Sequence, residues 1–226
     1  MRSGWEWRIM TMREELAQAK ASFIARVPEE AQNAILGHVE KQLQSGQLFG
    51  LQEGERAPDF TLHNPAGDAI TLYEELTTGP VVLIVYRGGW CPYCNIQLRA
   101  FEQRLSDFRK HGAQLIAVSP QSPDHTLTQS ESEQLSFHVL SDSDGQVAAS
   151  YRLLYELPDV LQHTFKTLLK RDLAAFNATD RWILPVPATY LIDQNGIIRF
   201  AAVNPDFMQR TDPQEVINHL QDIMRP

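Results

Sequence analysis

Apolar residues recur along the first part of the chain at the spacing of a helix. In the segment 12–46 they lie on either side of Pro28, which predicts two helices that form a hairpin. No residue in this pattern indicates chemistry, so we expect the hairpin to cover the main sheet or to contact a second copy of the chain. The residues of the stripe are Leu16, Phe23, Val27, Ile35, Val39 and Leu43.

Beyond residue 50, short apolar runs alternate with segments of helical period. Such alternation is typical of a sheet covered by helices on both faces, so the sequence predicts an α/β fold. We divide the chain into a helical extension, 1–49, and an α/β domain, 50–226, with a helical insertion at about 155–181. The runs that predict strands are 59–63, 68–72, 80–87, 115–119, 137–140, 188–193 and 197–203, and the other helical patterns are 98–108, 126–135, 146–154 and 213–224.

The composition excludes several classes of protein. The chain has 226 residues, of which 43% are hydrophobic, and a net charge of -8. A core of this size needs no disulfides, an acidic chain is a poor general nucleic-acid binder, and no apolar run approaches the roughly 18 residues of a membrane span. The N-terminal segment lacks the apolar core and cleavage site of a signal peptide, so we expect a cytoplasmic globular protein.

The only two cysteines lie in one four-residue motif, Cys91-Pro92-Tyr93-Cys94. The motif follows a buried strand and falls at the first turn of a helix, where free N–H groups and the helix dipole favour a thiolate. Proline suits that turn because its missing N–H has no intrahelical acceptor there. Arg87 is the nearest cation in sequence and is expected to lower a cysteine pKa further.

Other chemistry for this motif is disfavoured by what surrounds it. A zinc site needs two more ligands at suitable spacing, and no pair of histidines lies three to five positions apart. Covalent haem attachment needs His after the second cysteine, where this chain has Asn95. We therefore predict a redox pair without metal or cofactor, in which the two cysteines close a disulfide with each other. Trp90 is expected to shield the sulfur and Tyr93 to lie exposed at the rim of the site.

Four stretches of the chain carry a recognisable pattern: Ala57-Pro58-Asp59-Phe60-Thr61-Leu62, Tyr86-Arg87-Gly88-Gly89-Trp90-Cys91-Pro92-Tyr93-Cys94, Ser119-Pro120 and Pro187-Ala188-Thr189-Tyr190-Leu191-Ile192-Asp193. They resemble the thioredoxin fold and, more narrowly, peroxiredoxin-like proteins of the alkyl hydroperoxide reductase and thiol-specific antioxidant family. The resemblance implies a central mixed sheet flanked by helices. It also implies that Pro187 is a cis-proline facing the cysteines and that Val186 offers backbone to a thiol substrate.

The peroxide-binding loop of that family is not reproduced here. The family presents Pro-x-x-x-Thr-x-x-Cys, and aligning Cys94 with its cysteine places Cys91 at the threonine and Arg87 at the proline. Aligning Cys91 instead does no better. The sequence therefore leaves open which cysteine attacks first. A later arginine of the family has two candidates, Arg181 and Arg210.

Three functions compete at this point. The first is reduction of hydroperoxides through a Cys91/Cys94 disulfide that a thioredoxin-like or glutathione system recycles. The second is thiol-disulfide exchange on proteins, with Cys91 as an exposed nucleophile and Cys94 as the resolving thiol. The third is a non-catalytic binding module, which the two intact thiols disfavour. A homodimer is compatible with each of them.

Overall fold

A computed structural model of the chain describes residues 10–223. It begins with the predicted helical hairpin, α1 (Met12–Arg26) and α2 (Glu29–Gln44). Thr11 caps α1 by accepting the N–H of Glu14, whose carboxylate accepts the N–H of Thr11 in return. The expectation about a signal peptide concerns residues 1–16, of which 1–9 lie outside the described residues, as does the predicted helix end at Met224.

The remaining elements follow the predicted alternation. The strands are β1 (Thr61–His63), β2 (Ala69–Thr71), β3 (Val81–Val85), β4 (Gln114–Ser119), β5 (His138–Ser141), β6 (Leu154–Glu156), β7 (Ile183–Pro185), β8 (Ala188–Ile192) and β9 (Ile198–Val203). The helices are α3 (Leu72–Leu76), α4 (Pro92–Gln103), α5 (Leu105–Lys110), α6 (Pro123–Ser132), α7 (Gln146–Ser150), α8 (Asp159–His163), α9 (Leu173–Phe176) and α10 (Pro213–Ile223), with a π-helical turn at Thr164–Leu168.

Five strands form the central sheet in the order β5-β4-β3-β8-β9. The first three run parallel, and β8 and β9 join antiparallel, with Leu83 opposite Ile116 on one side and Tyr190 on the other. This confirms the mixed sheet that the family resemblance implied. Every residue of β3 is buried, which explains its continuous apolar run.

The side chains of β3 alternate between two core clusters, one on each face of the sheet. Val82 and Ile84 pack with α4, α5 and α10, whereas Val81, Leu83 and Val85 pack with the β1-β2 hairpin and α7. The prediction of a sheet covered on both faces is therefore confirmed. The extension takes part in this core because Ile35 and Val39 of α2 belong to the first cluster.

The predicted end of one helix was wrong. The helix predicted at 146–154 ends at Ser150, and Leu154 begins a strand that pairs antiparallel with β7. This two-stranded sheet closes the helical insertion at its base. Its strands have three residues each, too few for periodicity to reveal. No helix within residues 10–223 is long and apolar enough to cross a bilayer.

Candidate active site

The cysteine motif lies where β3 ends and α4 begins. Cys91 is the N-cap of α4, Pro92 is its first residue, and the N–H groups of Cys94 and Asn95 donate to Cys91 O at 3.0 and 3.2 Å. This is the helix-start position that the sequence predicted. Both cysteines are free thiols and buried, at 1% and 0% exposure.

The two thiols have opposite pKa shifts. Burial opposes ionisation of Cys91, but the hydrogen bond from the Cys94 thiol and the charges of Arg87 and Arg210 outweigh it and hold the pKa of Cys91 well below its ordinary value. Burial raises the pKa of Cys94, and its hydrogen bond to Cys91 raises it further. Cys91 is therefore the thiolate of the pair, and Cys94 the protonated donor.

Arg210 donates a hydrogen bond to the sulfur of Cys94, the protonated thiol of the pair. Its Nη2 donates to Cys94 Sγ at 3.3 Å, its Nη1 to Gln97 Oε1 at 3.2 Å and its Nε to Phe207 O at 2.8 Å. Gln97 in turn donates to Thr189 Oγ1 at 3.0 Å. The charge of Arg210 lowers the pKa of both thiols, but at Cys94 burial and the hydrogen bond to Cys91 outweigh it.

The sequence offers Arg181 and Arg210 as candidates for the family's later arginine, and the structure places them in different surroundings. Arg210 lies against Cys94, whereas Arg181 contacts Glu156 and the carbonyl of Asp144 in the insertion. Only tertiary packing separates these candidates, because both lie far from the motif in sequence.

Arg87 is buried within a ring of aromatic side chains. Its guanidinium carbon lies 4.1 Å from the ring centre of Phe207, 4.9 Å from that of Trp90 and 6.0 Å from that of Phe165. Its exposure is 4%, and its Nε has no hydrogen-bond partner among the described residues. The cation predicted from its sequence position is therefore at the thiolate, held by aromatic faces and not by a carboxylate.

Side-chain amides fix the loop before the cysteines. Gly89 N–H donates to Gln121 Oε1 at 2.7 Å, and Asn95 Nδ2 donates to Gly89 O at 2.8 Å. Gln129 joins these two amides, donating to Asn95 Oδ1 and accepting from Gln121 Nε2, both at 2.8 Å. Gly88 has φ 136°, a conformation that disfavours other residues. Together these amide side chains hold the loop before Cys91 in place.

One sequence prediction about the rim needs correction. Tyr93 is 2% exposed and packs edge-on against Phe207, with ring centres 5.5 Å apart, because the first turn of α4 directs it into the core. Burial, together with Cys91 and Asp206, raises its pKa to about 12. Trp90 is half-buried and packs edge-on against Phe165, with ring centres 5.5 Å apart.

Val186 and Pro187 also differ from expectation. The structure contains no cis peptide bond among residues 10–223, so the predicted cis-proline is wrong. Only these two residues connect β7 with β8, and the trans isomer is favoured by about 0.5–1 kcal/mol in an X-Pro pair. The N–H of Val186 donates to Leu153 O, so this donor is not free for a substrate.

A cavity of about 630 Å³ opens beside Cys91. Cys91 lines it, whereas Cys94 does not, so the cavity reaches the thiolate and not its partner. Residues of α1 and of the helical insertion form much of its wall, and sequence reasoning assigned neither segment to the site. Within residues 10–223 there is no group of three or more His, Cys, Asp or Glu side chains that could hold a metal ion.

The segment of the chain that contains this thiol pair matches a known protein family. Residues 54–201, more than half of the chain, match the AhpC/TSA family. The chain belongs to the AhpC/TSA family. This confirms the peroxiredoxin-like assignment made from the motifs, and the matched segment begins after the α1-α2 hairpin.

Individual relatives of this AhpC/TSA chain are peroxiredoxins by name. A putative peroxiredoxin of Mycobacterium tuberculosis is 30% identical over 101 residues, which are 45% of this chain and 64% of that protein, less than two thirds of its length. Chloroplastic peroxiredoxin Q of Oryza sativa subsp. japonica is 26% identical over 173 residues, 76% of this chain and 68% of the relative. The solved peroxidoxin BcpB of M. tuberculosis shares the fold, with TM-score 0.62 and 20% identity over 77% of this chain and 99% of that chain.

Proposed function

We propose that this chain is a thiol peroxidase, with Cys91 as the attacking thiolate and Cys94 as the resolving thiol. The observation that carries the proposal is the arrangement of the pair. Cys91 has the lowered pKa and lines the cavity, whereas Cys94 lies behind it with a raised pKa. The thiolate is the nucleophilic form of cysteine, and membership of the AhpC/TSA family supports a hydroperoxide as its target.

In the first step, Cys91 Sγ attacks the terminal oxygen of the hydroperoxide. The S–O bond forms as the O–O bond breaks, and the leaving alkoxide takes a proton from water and departs as an alcohol. The sulfur is oxidised to sulfenic acid and the peroxide is reduced by two electrons. Arg87, whose charge acts on Cys91, also stabilises the negative charge that develops on the leaving oxygen.

In the second step, Cys94 attacks the sulfenic acid. Burial and the hydrogen bond to the Cys91 thiolate raise the pKa of Cys94. Once Cys91 is a neutral sulfenic acid, the thiolate acceptor and its like charge are gone, so the pKa of Cys94 falls. The hydrogen bond from Arg210 then stabilises the Cys94 thiolate. The S–S bond forms, the S–O bond breaks, and hydroxide leaves and is protonated to water.

The disulfide must then be reduced by two electrons from an external thiol. We assign this step to a thioredoxin-like dithiol or to glutathione, which attack a disulfide through a mixed intermediate. A supply of such thiols is typical of the cytoplasm, which is where we place the protein.

Thiol-disulfide exchange on folded proteins is less favourable in this geometry. Cys91 is 1% exposed, so its sulfur is reached through the cavity and not from a flat surface. A non-catalytic module is disfavoured because it has no need of a thiolate beside two arginines.

One comparison tests the proposal against these alternatives. The reduced protein is mixed with hydrogen peroxide and, separately, with an alkyl hydroperoxide in a stopped-flow instrument, and insulin reduction is measured in parallel. Fast peroxide consumption with one disulfide formed per chain supports the peroxidase. Slow consumption together with rapid insulin reduction would replace it with protein thiol-disulfide exchange, and inactivity in both assays would favour the binding module.

A further inference from the structure

The cavity beside Cys91 has a wall that the family domain does not supply. Helix α1 ends well before residue 54, where the family match begins, yet it presents a continuous stripe to the cavity. The stripe follows the spacing of one helix face. Its residues are Glu15, Gln18, Ala19, Ser22, Phe23 and Arg26.

This face of α1 is only partly covered by the rest of the protein. None of the residues of α1 is fully buried, and Ala19 and Phe23 remain half-buried although they pack against the first core cluster. Across the cavity, Phe165 and Leu169 of the insertion are likewise apolar. The cavity volume of about 630 Å³ falls within the usual range for small-molecule sites, roughly 300–1,000 Å³.

The charges around the cavity oppose those of the whole chain. The protein carries a net charge of -8, but four arginines line the cavity against one glutamate, Glu15. Glu15 is already paired with Arg99 at 3.1 Å. The three remaining arginines of the cavity are Arg26, Arg87 and Arg171, and none of them forms an ion pair with a described residue. The Arg171 guanidinium carbon lies 5.5 Å from the ring centre of Trp90.

We propose that the cavity binds a long-chain hydroperoxide with one anionic head group, such as a carboxylate. The chain packs between Ala19 and Phe23 of α1 and Phe165 of the insertion. Arg26, exposed on α1, and half-buried Arg171 receive the head group, and the peroxide is presented to Cys91. The helical extension is thus the element that determines specificity. This inference rests on the proposed peroxidase function for its chemistry, but its binding step does not.

Binding is measured first with a probe that carries no peroxide. Dodecanoate, below its micelle concentration, is added to the reduced full chain, and its binding is followed by the slowing of Cys91 alkylation by iodoacetamide. Dodecyltrimethylammonium has the same chain and the opposite charge. We expect dodecanoate to protect Cys91, with affinity rising roughly threefold to fourfold per methylene from octanoate to dodecanoate, and the cationic probe not to protect it.

Matched variants locate the site. Ala19→Trp fills the apolar wall, and Ala17→Trp places the same side chain on an exposed position of α1 outside the cavity. Arg26→Gln combined with Arg171→Gln removes the head-group cations, and Arg13→Gln removes an exposed arginine elsewhere on α1. We expect at least a tenfold loss of dodecanoate affinity in the first member of each pair and no change in the controls.

Turnover then connects binding with chemistry. Ala19→Trp should lower kcat/KM for a long-chain fatty-acid hydroperoxide at least tenfold more than it lowers kcat/KM for hydrogen peroxide. Ala17→Trp, outside the cavity, should leave both values unchanged, and thermal unfolding curves show that both variants are folded. Three results would overturn the inference: equal protection of Cys91 by both probes, an affinity that does not change with chain length, or a loss of dodecanoate affinity in Ala17→Trp as large as in Ala19→Trp. Protection of Cys91 by glutathione but not by dodecanoate would overturn it as well. If no hydroperoxide reacts, the proposed function fails. Protection of Cys91 by dodecanoate still tests, independently, whether the cavity binds a long-chain anion.

Discussion

The Arg210 guanidinium donates a hydrogen bond to Cys94 Sγ at 3.3 Å, although 116 positions separate the two residues. The arginine is therefore in contact with the thiol of higher pKa, while Cys91 carries the charge. Gln97 Oε1 and Phe207 O hold the same guanidinium in place. This geometry places Arg210 on the sulfur that attacks second.

Replacing Arg210 tests that order of events. In Arg210→Gln we expect the Cys94 attack on the sulfenic acid to slow about tenfold, since a hydrogen bond to a charged group contributes about 1.5 kcal/mol or more. Sulfenic acid should then accumulate and be oxidised further to sulfinic acid. Stopped-flow fluorescence gives the two rates, and mass spectrometry gives the oxidation state of Cys91.

The matched control is Arg181→Gln, because Arg181 contacts Glu156 and the Asp144 carbonyl away from the thiols. It should leave both rates unchanged. A loss confined to the first, peroxide-consuming step in Arg210→Gln would instead assign Arg210 to the attacking thiolate.

The opposite pKa shifts of the thiols predict the pH dependence of alkylation. Because the pKa of Cys91 lies well below its ordinary value, its thiolate persists as the pH falls below the ordinary thiol range, and reactivity is lost only below that lowered pKa. Cys94, with a raised pKa, should react only above the ordinary thiol range. Iodoacetamide rates across pH, with the labelled peptide identified, check both statements. First labelling of Cys94 at neutral pH would reverse the assignment.

Serine substitutions separate the roles of the pair. Cys94→Ser retains a hydroxyl that can donate to Cys91, so peroxide should still react fast and leave a sulfenic acid that dimedone traps. Cys91→Ser should lose fast reaction with peroxide and all trapping of partner thiols. If Cys91→Ser kept full peroxide consumption with Cys94 oxidised, Cys94 would be the first nucleophile.

The loop glycine before the motif is expected to be indispensable. Gly88 has φ 136°, and a Cβ there would lie 2.7 Å from Trp90 Nε1. We expect Gly88→Ala to destabilise the fold by about 1–3 kcal/mol, with each kcal/mol lowering Tm by about 2–4 °C in a chain of this size. Calorimetry checks this value, and peroxide kinetics should show slower attack because Trp90 and the Cys91 loop shift.

Gly37→Ala provides the comparison for that substitution. Gly37 lies within α2, and a Cβ there would meet nothing within 4 Å. The change should raise stability by about 1 kcal/mol, as alanine replaces glycine in a helix. Equal effects of the two substitutions would show that the backbone of the Gly88 loop is not strained.

The local parts of the site followed from the sequence. The run Val81–Val85 predicted a buried strand, and the cysteine motif after it predicted a helix start with thiolate character. Arg87 was identified from its position at the end of that strand. These succeeded because strand burial, helix capping and the helix dipole depend on residues only a few positions apart.

The wrong predictions and the missed residues concern the directions of side chains and the contacts between residues that are distant in sequence. Tyr93 was predicted at the rim because a motif alone does not say which face of the first turn the core will cover, and it is buried. The Val186–Pro187 bond is trans, although the family resemblance implied cis. Gln121 and Gln129, which fix the loop, had no signal beyond being polar, the first in the connection after β4 and the second within α6.

The family, the alternation of strands and helices and the single thiol pair are all readable from the sequence. The sulfur that lines the cavity, the arginine that contacts Cys94 and the helix that forms the cavity wall are set by tertiary packing. Hydrophobic period and helix capping depend on residues a few positions apart, whereas the charge on a buried thiol depends on groups that only packing brings within a few ångströms. Arg210 and Cys94 are such a pair.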